Sequence, residues 1–246
     1  MPATPAWPPR SLPRLYVDPP LSAGIAVGLD AAQANYLGNV LRLAEGNEVL
    51  LFDGVGGEWL GRIAEVGKKR MILAVVAATR GQESVPDVTL AFAPIKKGRI
   101  EFLVEKAVEL GVARLEPVIT RRTIVAKVNL ERMRSHIVEA AEQCGRTALA
   151  SIAEPVKLEA WLKARDPARR LYFADETGGE TAVAAFQPGP ATILTGPEGG
   201  FTDEERAAIR AAPGARAISL GPRILRAETA ALAALAAYMA LAGDWR

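Results

Sequence analysis

From residue 86 onward the chain alternates short apolar runs with segments of helical periodicity, and this alternation constrains the fold more than any other feature. The apolar runs that predict strands lie at 88–93, 115–119, 171–174, 191–195 and 217–220. Helical stripes separate the runs, and two of them end before a glycine, Gly111 and Gly145. Strands that alternate with helices are typical of a parallel sheet. The sequence therefore predicts an α/β domain over residues 86–246.

The segment before this domain is dominated by β signals. Apolar runs at 15–17, 49–52, 59–66 and 71–77 are separated by turn residues, and one helical segment lies at 31–43. Several short strands with one helix predict a small β-barrel domain over residues 14–78. The polar stretch 79–85 is predicted as a linker, and the proline-rich residues 1–13 as a flexible arm without the apolar segment of a signal peptide.

Composition excludes several classes of protein. A single cysteine, Cys144, excludes a disulfide framework, and with a single histidine, His136, it excludes most zinc sites. No apolar run is long enough to span a bilayer, and the apolar segment 227–242 predicts a helix buried in a core or a subunit interface. We therefore expect a cytoplasmic, metal-free protein. The net charge of +2 is too small to indicate nucleic-acid binding by itself.

One glycine-rich loop follows the predicted strand 191–195. Glycines at 196, 199 and 200 permit close approach of a ligand to the backbone, and Thr202 and Glu205 form a capping box for the next helix. The loop carries Glu198 and lacks the Lys-Ser/Thr of a phosphate-binding loop. This pattern favours a nucleoside-like ligand without phosphates. The alternative is an ordinary turn that caps a helix.

A second loop with the same strand–glycine–helix pattern covers residues 219–230. It places Arg223, Arg226 and Glu228 among apolar neighbours, where buried charges need a partner or a ligand. The alternative is a surface loop in which Arg226 and Glu228 pair with each other.

Basic clusters at 68–70, 96–99 and 121–122 are the local features that favour RNA, although such runs are usually only solvated. Cys144 is interpreted as a packed small residue, because His136 lies two helical turns away and cannot form a dyad with it.

These segments together resemble the RsmE family, bacterial methyltransferases of the SPOUT superfamily that methylate N3 of a uridine in 16S rRNA. The resemblance covers nearly the whole chain after residue 13. Its most specific motifs are Gly-Pro-Glu-Gly-Gly-Phe at 196–201 and Leu-Gly-Pro-Arg-Ile-Leu-Arg-Ala-Glu-Thr at 220–229. Further matching stretches lie at 39–42, 52–54, 101–111, 121–123 and 142–146. The chain departs from the family at Asn35–Tyr36, where a histidine is frequent, and at Ala227, where threonine is usual.

The resemblance implies a PUA-like, RNA-binding β-barrel followed by a SPOUT domain with a C-terminal trefoil knot. It also implies a homodimer that binds S-adenosylmethionine close to the partner subunit and acts on 16S rRNA in the small ribosomal subunit. The cofactor-binding residues that it implies are Leu194, Thr195, Gly196, Pro197, Gly199, Gly200, Leu220, Gly221, Ile224, Leu225 and Thr229. The candidate RNA-binding residues are Arg14, Arg42, Lys96, Lys97, Arg99, Arg121 and Arg122.

The chemistry of uracil N3 suggests the catalytic candidates. An arginine beside the uracil oxygens would stabilise the developing anion, with Arg226 the first candidate and Arg146 the second. A carboxylate, Glu198 or Glu142, could take the N3 proton, and the sequence does not choose between them.

Three rival functions remain open at this point. A SPOUT methyltransferase could act on tRNA or another rRNA site. A non-catalytic RNA-binding or ribosome-assembly factor could keep the fold. A nucleotide-binding dehydrogenase lacks its glycine fingerprint, since Gly54, Gly56 and Gly57 lie between strands.

Overall fold

The computed structural model describes residues 12–18, 20–67, 70–125 and 127–245. Contacts divide the chain into two compact units. Unit 1 comprises the residues up to Ser84 together with Glu142–Ala148, and unit 2 comprises Val85–Ala141 and the residues from Leu149 onward. Two predicted features lie largely outside the described residues. Only residues 12 and 13 of the predicted arm are described, and the first basic cluster lacks Lys68 and Lys69.

Unit 1 contains a five-stranded, mostly antiparallel sheet. Its strands are β1 (Arg14–Tyr16), β2 (Ala26–Leu29), β3 (Glu48–Phe52), β4 (Glu58–Val66) and β5 (Met71–Arg80). The strand order is β1-β3-β4-β5-β2, and only the β1–β3 pair is parallel. Alternate side chains of these strands, among them Val49, Leu51, Ile63 and Leu73, form one apolar core. The sequence did not predict β2, which buries only two side chains.

The helical segment of unit 1 is shorter than the predicted 31–43. Helix α1 (Ala31–Asn35) begins at a capping box formed by Asp30 and Gln33, and a π-helical turn (Tyr36–Val40) follows it. Of the apolar stripe that suggested the longer helix, only Leu37 is buried. The helix therefore ends early because most of its apolar side chains have no core to pack against.

Unit 2 contains an eight-stranded sheet in which every strand pair is parallel. Its strands are β6 (Val88–Phe92), β7 (Arg114–Ile119), β8 (Ser151–Ile152), β9 (Val156–Lys157), β10 (Arg170–Ala174), β11 (Glu180–Thr181), β12 (Ala191–Thr195) and β13 (Ala215–Ser219). The order is β11-β13-β10-β12-β6-β7-β8, and β9 also pairs with β7. The predicted parallel α/β architecture is confirmed: β12 has its predicted bounds, the limits of β6, β7, β10 and β13 differ by one or two residues, and the two-residue strands β8, β9 and β11 were not predicted.

The remaining helices connect these strands. They are α2 (Arg99–Glu109), α3 (Leu130–Cys144), α4 (Leu158–Ala164), α5 (Ala182–Ala185), α6 (Asp203–Ala211) and α7 (Ala227–Leu241). Helix α7 buries Ala231, Leu235 and Tyr238 in the core of unit 2, where the sequence predicted an apolar helix. Among the described residues, no helix combines the length and the apolar character that a membrane span requires. The trefoil knot stays a prediction.

Candidate functional site

Four neighbouring strands of unit 2 direct their following loops to one edge of the sheet. These strands are adjacent in the order β13-β10-β12-β6, and all are parallel, so their carboxyl ends share that edge. The loops enclose a cavity of about 690 Å³. This volume is typical of sites for small molecules.

The loops after β10, β12 and β13 line the cavity, and helices α2 and α7 add residues of their first turns. The lining residues are Arg99, Ala174, Asp175, Glu176, Gly178, Thr195, Gly196, Pro197, Glu198, Gly199, Gly200, Ile218, Ser219, Leu220, Gly221, Pro222, Arg223, Ile224, Leu225, Arg226, Ala227 and Ala230.

The loop after β12 is fixed by the capping box that the sequence predicted. Thr202 Oγ1 accepts a hydrogen bond from the Glu205 amide, and Glu205 Oε2 accepts one from the Thr202 amide at 3.0 Å. The other carboxylate oxygen, Glu205 Oε1, accepts a hydrogen bond from the Arg121 amide at 2.7 Å. Arg122 Nη1 donates to the Gly199 carbonyl at 2.6 Å. The two arginines that were predicted to contact RNA thus make contacts that hold this loop.

The loop after β10 is fixed by a buried carboxylate. Asp175 has a fully buried side chain, and its Oδ1 accepts hydrogen bonds from the amide and the hydroxyl of Thr177. Arg206 Nε donates to Oδ1 at 3.1 Å, and Arg210 Nη2 donates to Oδ2 at 2.7 Å. Burial alone would raise the pKa of Asp175, but the hydrogen bonds from Thr177 and the two arginines lower that pKa below its ordinary value.

The loop after β13 is the most exposed wall of the cavity. Ile224 is 94% exposed, and Arg223 and Arg226 are also exposed. Arg226 is the N-cap residue of α7. Glu228, in the first turn of α7, has its Oε1 3.7 Å from Arg99 Nε. No ion pair joins Arg226 to Glu228 within the described part of the chain, so the simple pairing considered from the sequence does not form there.

Most of the predicted cofactor-binding residues line the cavity. They are Thr195, Gly196, Pro197, Gly199, Gly200, Leu220, Gly221, Ile224 and Leu225. Leu194 is buried within the sheet, and Thr229 lies exposed on α7 outside the lining. Sequence reasoning missed the wall formed by residues 174–178, although the strand before it was predicted. An acidic, glycine-containing loop directly after that strand was the available signal.

The structure brings two of the four catalytic candidates to the cavity. Arg226 and Glu198 line it. Glu142 and Arg146 belong to unit 1 instead, where Glu142 Oε1 accepts a hydrogen bond from the Tyr16 amide at 2.9 Å. The buried Arg146 has its Nε 3.6 Å from Glu83 Oε1.

The RNA-binding candidates are dispersed. Arg14 has a side chain only 11% exposed, and its Nε lies 2.8 Å from Glu58 Oε2. Arg42 is exposed and adopts a φ of 58°, which is unusual for a residue with a side chain. Lys96 and Lys97 are exposed in the loop after β6, and Arg99 lines the cavity. Among the described residues, no group of three or more His, Cys, Asp or Glu side chains is arranged to hold a metal ion.

Comparison with known proteins gives consistent matches to both parts of the chain. Residues 82–239 match a family described as an RNA methyltransferase domain, and residues 29–76 match an RNA methyltransferase PUA domain. Ribosomal RNA small subunit methyltransferase E from Rickettsia conorii is 31% identical over 91% of this chain and 93% of its own length. The enzyme of the same name from Synechocystis is 33% identical over 93% of this chain and 77% of its own length.

Two solved structures are similar over almost their whole length. One is ribosomal RNA small subunit methyltransferase E from Neisseria gonorrhoeae bound to S-adenosylmethionine, with a TM-score of 0.86, 33% identity and coverage of 96% of this chain and 100% of that one. The other is a methyltransferase from Legionella pneumophila, also with S-adenosylmethionine bound. Its TM-score is 0.87 at 32% identity, over 95% of this chain and 99% of that one.

Proposed function

The chain belongs to the ribosomal RNA small subunit methyltransferase E family, and we propose that it methylates N3 of a uridine in 16S rRNA. It is an S-adenosylmethionine-dependent rRNA methyltransferase, and the choice of base and atom is the part that we propose. The observation that carries the proposal is the cavity at the carboxyl ends of the parallel strands β10, β12 and β13, built largely by the two motifs most specific to this family. The aligned PUA domain supplies a module for contact with RNA.

The residues of the cavity fit the cofactor. Five of its lining residues are glycines, at 178, 196, 199, 200 and 221, and no lysine is among the described residues that line it, so it lacks the lysine of a phosphate-binding loop. The segments 195–200 and 220–225 would hold the adenosine part through their backbone groups. When bound, S-adenosylmethionine supplies an electrophilic methyl group on a positively charged sulfonium.

Arg226 is the residue that we assign to stabilise charge on the substrate. Loss of the N3 proton makes uracil a nucleophile and places negative charge on its two carbonyl oxygens. Arg226 is exposed where the cavity meets solvent, so its guanidinium can reach a base presented from outside. A fixed cation at that position lowers the barrier, because the charge it stabilises develops as the proton leaves.

Glu198 is the carboxylate that we assign to accept the N3 proton. It lines the cavity and is exposed on the loop after β12. Glu142 and Arg146, the other candidates, make their contacts within unit 1, where the Glu142 carboxylate accepts the Tyr16 amide. We therefore prefer Glu198 and Arg226 for the chemistry.

We further propose a homodimer that acts in the cytoplasm on the assembled small ribosomal subunit. A base must leave its stack to enter a cavity of this kind, which favours a single-stranded or distorted RNA target. A light-scattering measurement of mass in solution tests the dimer directly, since the monomer is 26.1 kDa.

The decisive experiment is methyl transfer from labelled S-adenosylmethionine to small ribosomal subunits that lack the modification. The RNA is then digested and its nucleosides are identified by mass spectrometry. We expect 3-methyluridine at one position. A different methylated nucleoside, or methylation of tRNA instead, would contradict the proposed target. Failure to bind the cofactor would favour the non-catalytic assembly factor.

A further inference from the structure

An acidic side chain that the sequence did not single out, Glu176, lines the cavity. It follows strand β10 directly, in the wall that sequence reasoning missed. Among the described lining residues, the other carboxylates are Asp175 and Glu198. The Glu176 side chain is 47% exposed, so a ligand in the cavity can reach its carboxylate.

Asp175 is engaged within the protein. Its side chain is fully buried, and both of its oxygens accept hydrogen bonds from the arginines of α6. Its role is to fix the loop on which Glu176 stands. Glu198 is the carboxylate that the proposed function assigns to the substrate base. Glu176 is thus the carboxylate that remains for the cofactor.

The Glu176 carboxylate is held in place on one side. Its Oε1 accepts a hydrogen bond from Arg206 Nη2 at 2.9 Å, and Arg206 is itself fixed by Asp175 and by Asp203. Within the described residues Oε2 has no protein partner. One carboxylate oxygen is therefore positioned by the protein, and the other is available to a ligand.

The carboxylate occupies a place that only a glycine leaves open. A Cβ on Gly200 would lie 2.5 Å from Glu176 Oε1, and Gly200 has a φ of 68°, which favours glycine. The Glu176 carboxylate therefore lies directly against the glycine-rich loop. The last glycine of the family motif makes room for this side chain.

The ribose is the part of the cofactor whose chemistry suits this carboxylate. In parallel α/β folds an acidic side chain after a strand typically accepts hydrogen bonds from ribose hydroxyls. The sulfonium is a less suitable partner for Glu176. Methyl transfer removes the positive charge of the sulfonium, so a carboxylate that stabilises this charge in the bound cofactor would slow the reaction. The charge of Glu176 is also partly neutralised by Arg206, and this weakens its attraction for a cation more than its capacity to accept a hydroxyl.

We propose that Glu176 binds the ribose hydroxyls of the adenosyl cofactor through Oε2, the oxygen that Arg206 leaves available. This inference rests on the proposed function, since it requires a cofactor with a ribose. It adds a binding residue from the third loop of the site, held by the Arg206–Asp175 pair.

Calorimetric titration of the full-length protein tests the inference without a turnover assay. The probes are S-adenosylhomocysteine and its 2′-deoxy and 3′-deoxy analogues. We expect the unmodified protein to bind at least one deoxy analogue about tenfold more weakly than the parent compound, the effect of one hydrogen bond to a charged group. In Glu176→Ala, S-adenosylhomocysteine itself should bind about tenfold more weakly. The deoxy analogue that lacks the contacted hydroxyl should then bind this variant as tightly as S-adenosylhomocysteine does. Glu176→Gln, which keeps one acceptor oxygen, should fall between the two.

The control variant is Glu180→Ala, an exposed glutamate of β11 that lies outside the lining of the cavity. It should bind all three probes as the unmodified protein does. If Glu176→Ala weakens every probe by the same factor, the carboxylate does not contact the ribose and the inference is overturned. If the unmodified protein binds none of the probes, the proposed function itself fails, which is a different result from unaltered binding by the Glu176 variants.

Discussion

At the scale of single residues, Arg226 is the arginine that we propose for charge stabilisation. We expect Arg226→Ala to lower kcat by about a hundredfold or more while the affinity for S-adenosylmethionine is kept, because the guanidinium acts on charge that develops in the substrate. Steady-state kinetics combined with calorimetry separate the two effects. Arg216→Ala, which alters an exposed arginine of β13 outside the lining, is the control. An equal loss of cofactor affinity in Arg226→Ala would show that our assignment is wrong.

The buried Asp175 gives a residue-scale prediction about stability. Asparagine cannot neutralise Arg206 and Arg210, so we expect Asp175→Asn to lower the free energy of unfolding by about 3 kcal/mol at pH 7. The folded-state pKa of Asp175 is below the ordinary value of 3.8. Its ionisation therefore contributes stability that is fully present above pH 3.8 and is lost as the pH falls through the folded-state pKa.

Denaturant titrations from pH 7 down to pH 3 check this dependence. The difference in stability between the unmodified protein and Asp175→Asn should be constant near neutrality and should shrink below about pH 4. Asp203→Asn is a matched control, because Asp203 also contacts Arg206 but its side chain is 98% exposed. It should leave the unfolding midpoint nearly unchanged. A difference that grows as the pH falls would contradict the role of Asp175.

At the scale of elements, the capping box of α6 joins two loops through one carboxylate. Glu205 is buried and accepts the amides of Thr202 and Arg121, one on each oxygen. In Glu205→Gln only one side-chain oxygen remains as an acceptor, and the new NH₂ group faces one of the two backbone amides, which are themselves donors. We expect Glu205→Gln to lower the free energy of unfolding by about 1–3 kcal/mol, the cost of one buried unsatisfied donor.

Thermal unfolding of Glu205→Gln and of Glu204→Gln provides the comparison. Glu204 is exposed in the same turn of α6, so its variant should unfold at the same temperature as the unmodified protein. The Glu205 variant should also bind the cofactor less tightly, because the loop after β12 loses an anchor. Identical midpoints for the two variants would mean that the carboxylate of Glu205 is not needed for the loop.

Helices and strands were predicted well where a single local sequence pattern determines them. The helical stripe predicted to end before Gly145 is α3, which ends at Cys144, and the wholly buried β12 was predicted at its observed bounds. Strand order is a long-range property, and it places β10 between β12 and β13. For that reason the loop with Asp175 and Glu176 was missed as a wall of the cavity. The same limit applies to Arg122, whose bond to Gly199 joins segments 77 residues apart.

At the scale of the whole molecule, the two compact units do not follow the order of the chain. Residues 142–148 belong to unit 1, which the sequence assigned to residues 14–78. Arg14 accounts for part of this arrangement, because its Nη1 and Nη2 donate to the carbonyls of Glu142 and Arg146 at 3.0 and 2.8 Å. Arg80 donates to the Gly145 carbonyl, and Glu83 accepts the amides of Thr147 and Ala148. Side chains of unit 1 thus pair with the backbone polar groups of this segment.

Arg14 was an RNA-binding candidate, and its contacts lead to a different expectation. Arg14→Ala should lower the free energy of unfolding by about 2 kcal/mol, because two carbonyls lose this donor and Glu58 keeps only the more exposed Arg80 as an ion-pair partner. Amide hydrogen exchange should speed up in residues 14–17 and 142–148 before it does elsewhere. Arg62→Ala, which breaks an exposed pair with Glu48, should cost about 0–1 kcal/mol.

The affinity for RNA distinguishes this internal role from direct contact with the substrate. Under conditions where Arg14→Ala remains folded, its binding to small ribosomal subunits should match that of the unmodified protein, because the guanidinium is engaged within unit 1. Arg42→Ala should instead weaken binding and reduce its dependence on salt if, as we propose, the exposed Arg42 contacts an RNA phosphate. If Arg14→Ala loses affinity while its amides stay protected, Arg14 reaches RNA and our account of it is wrong.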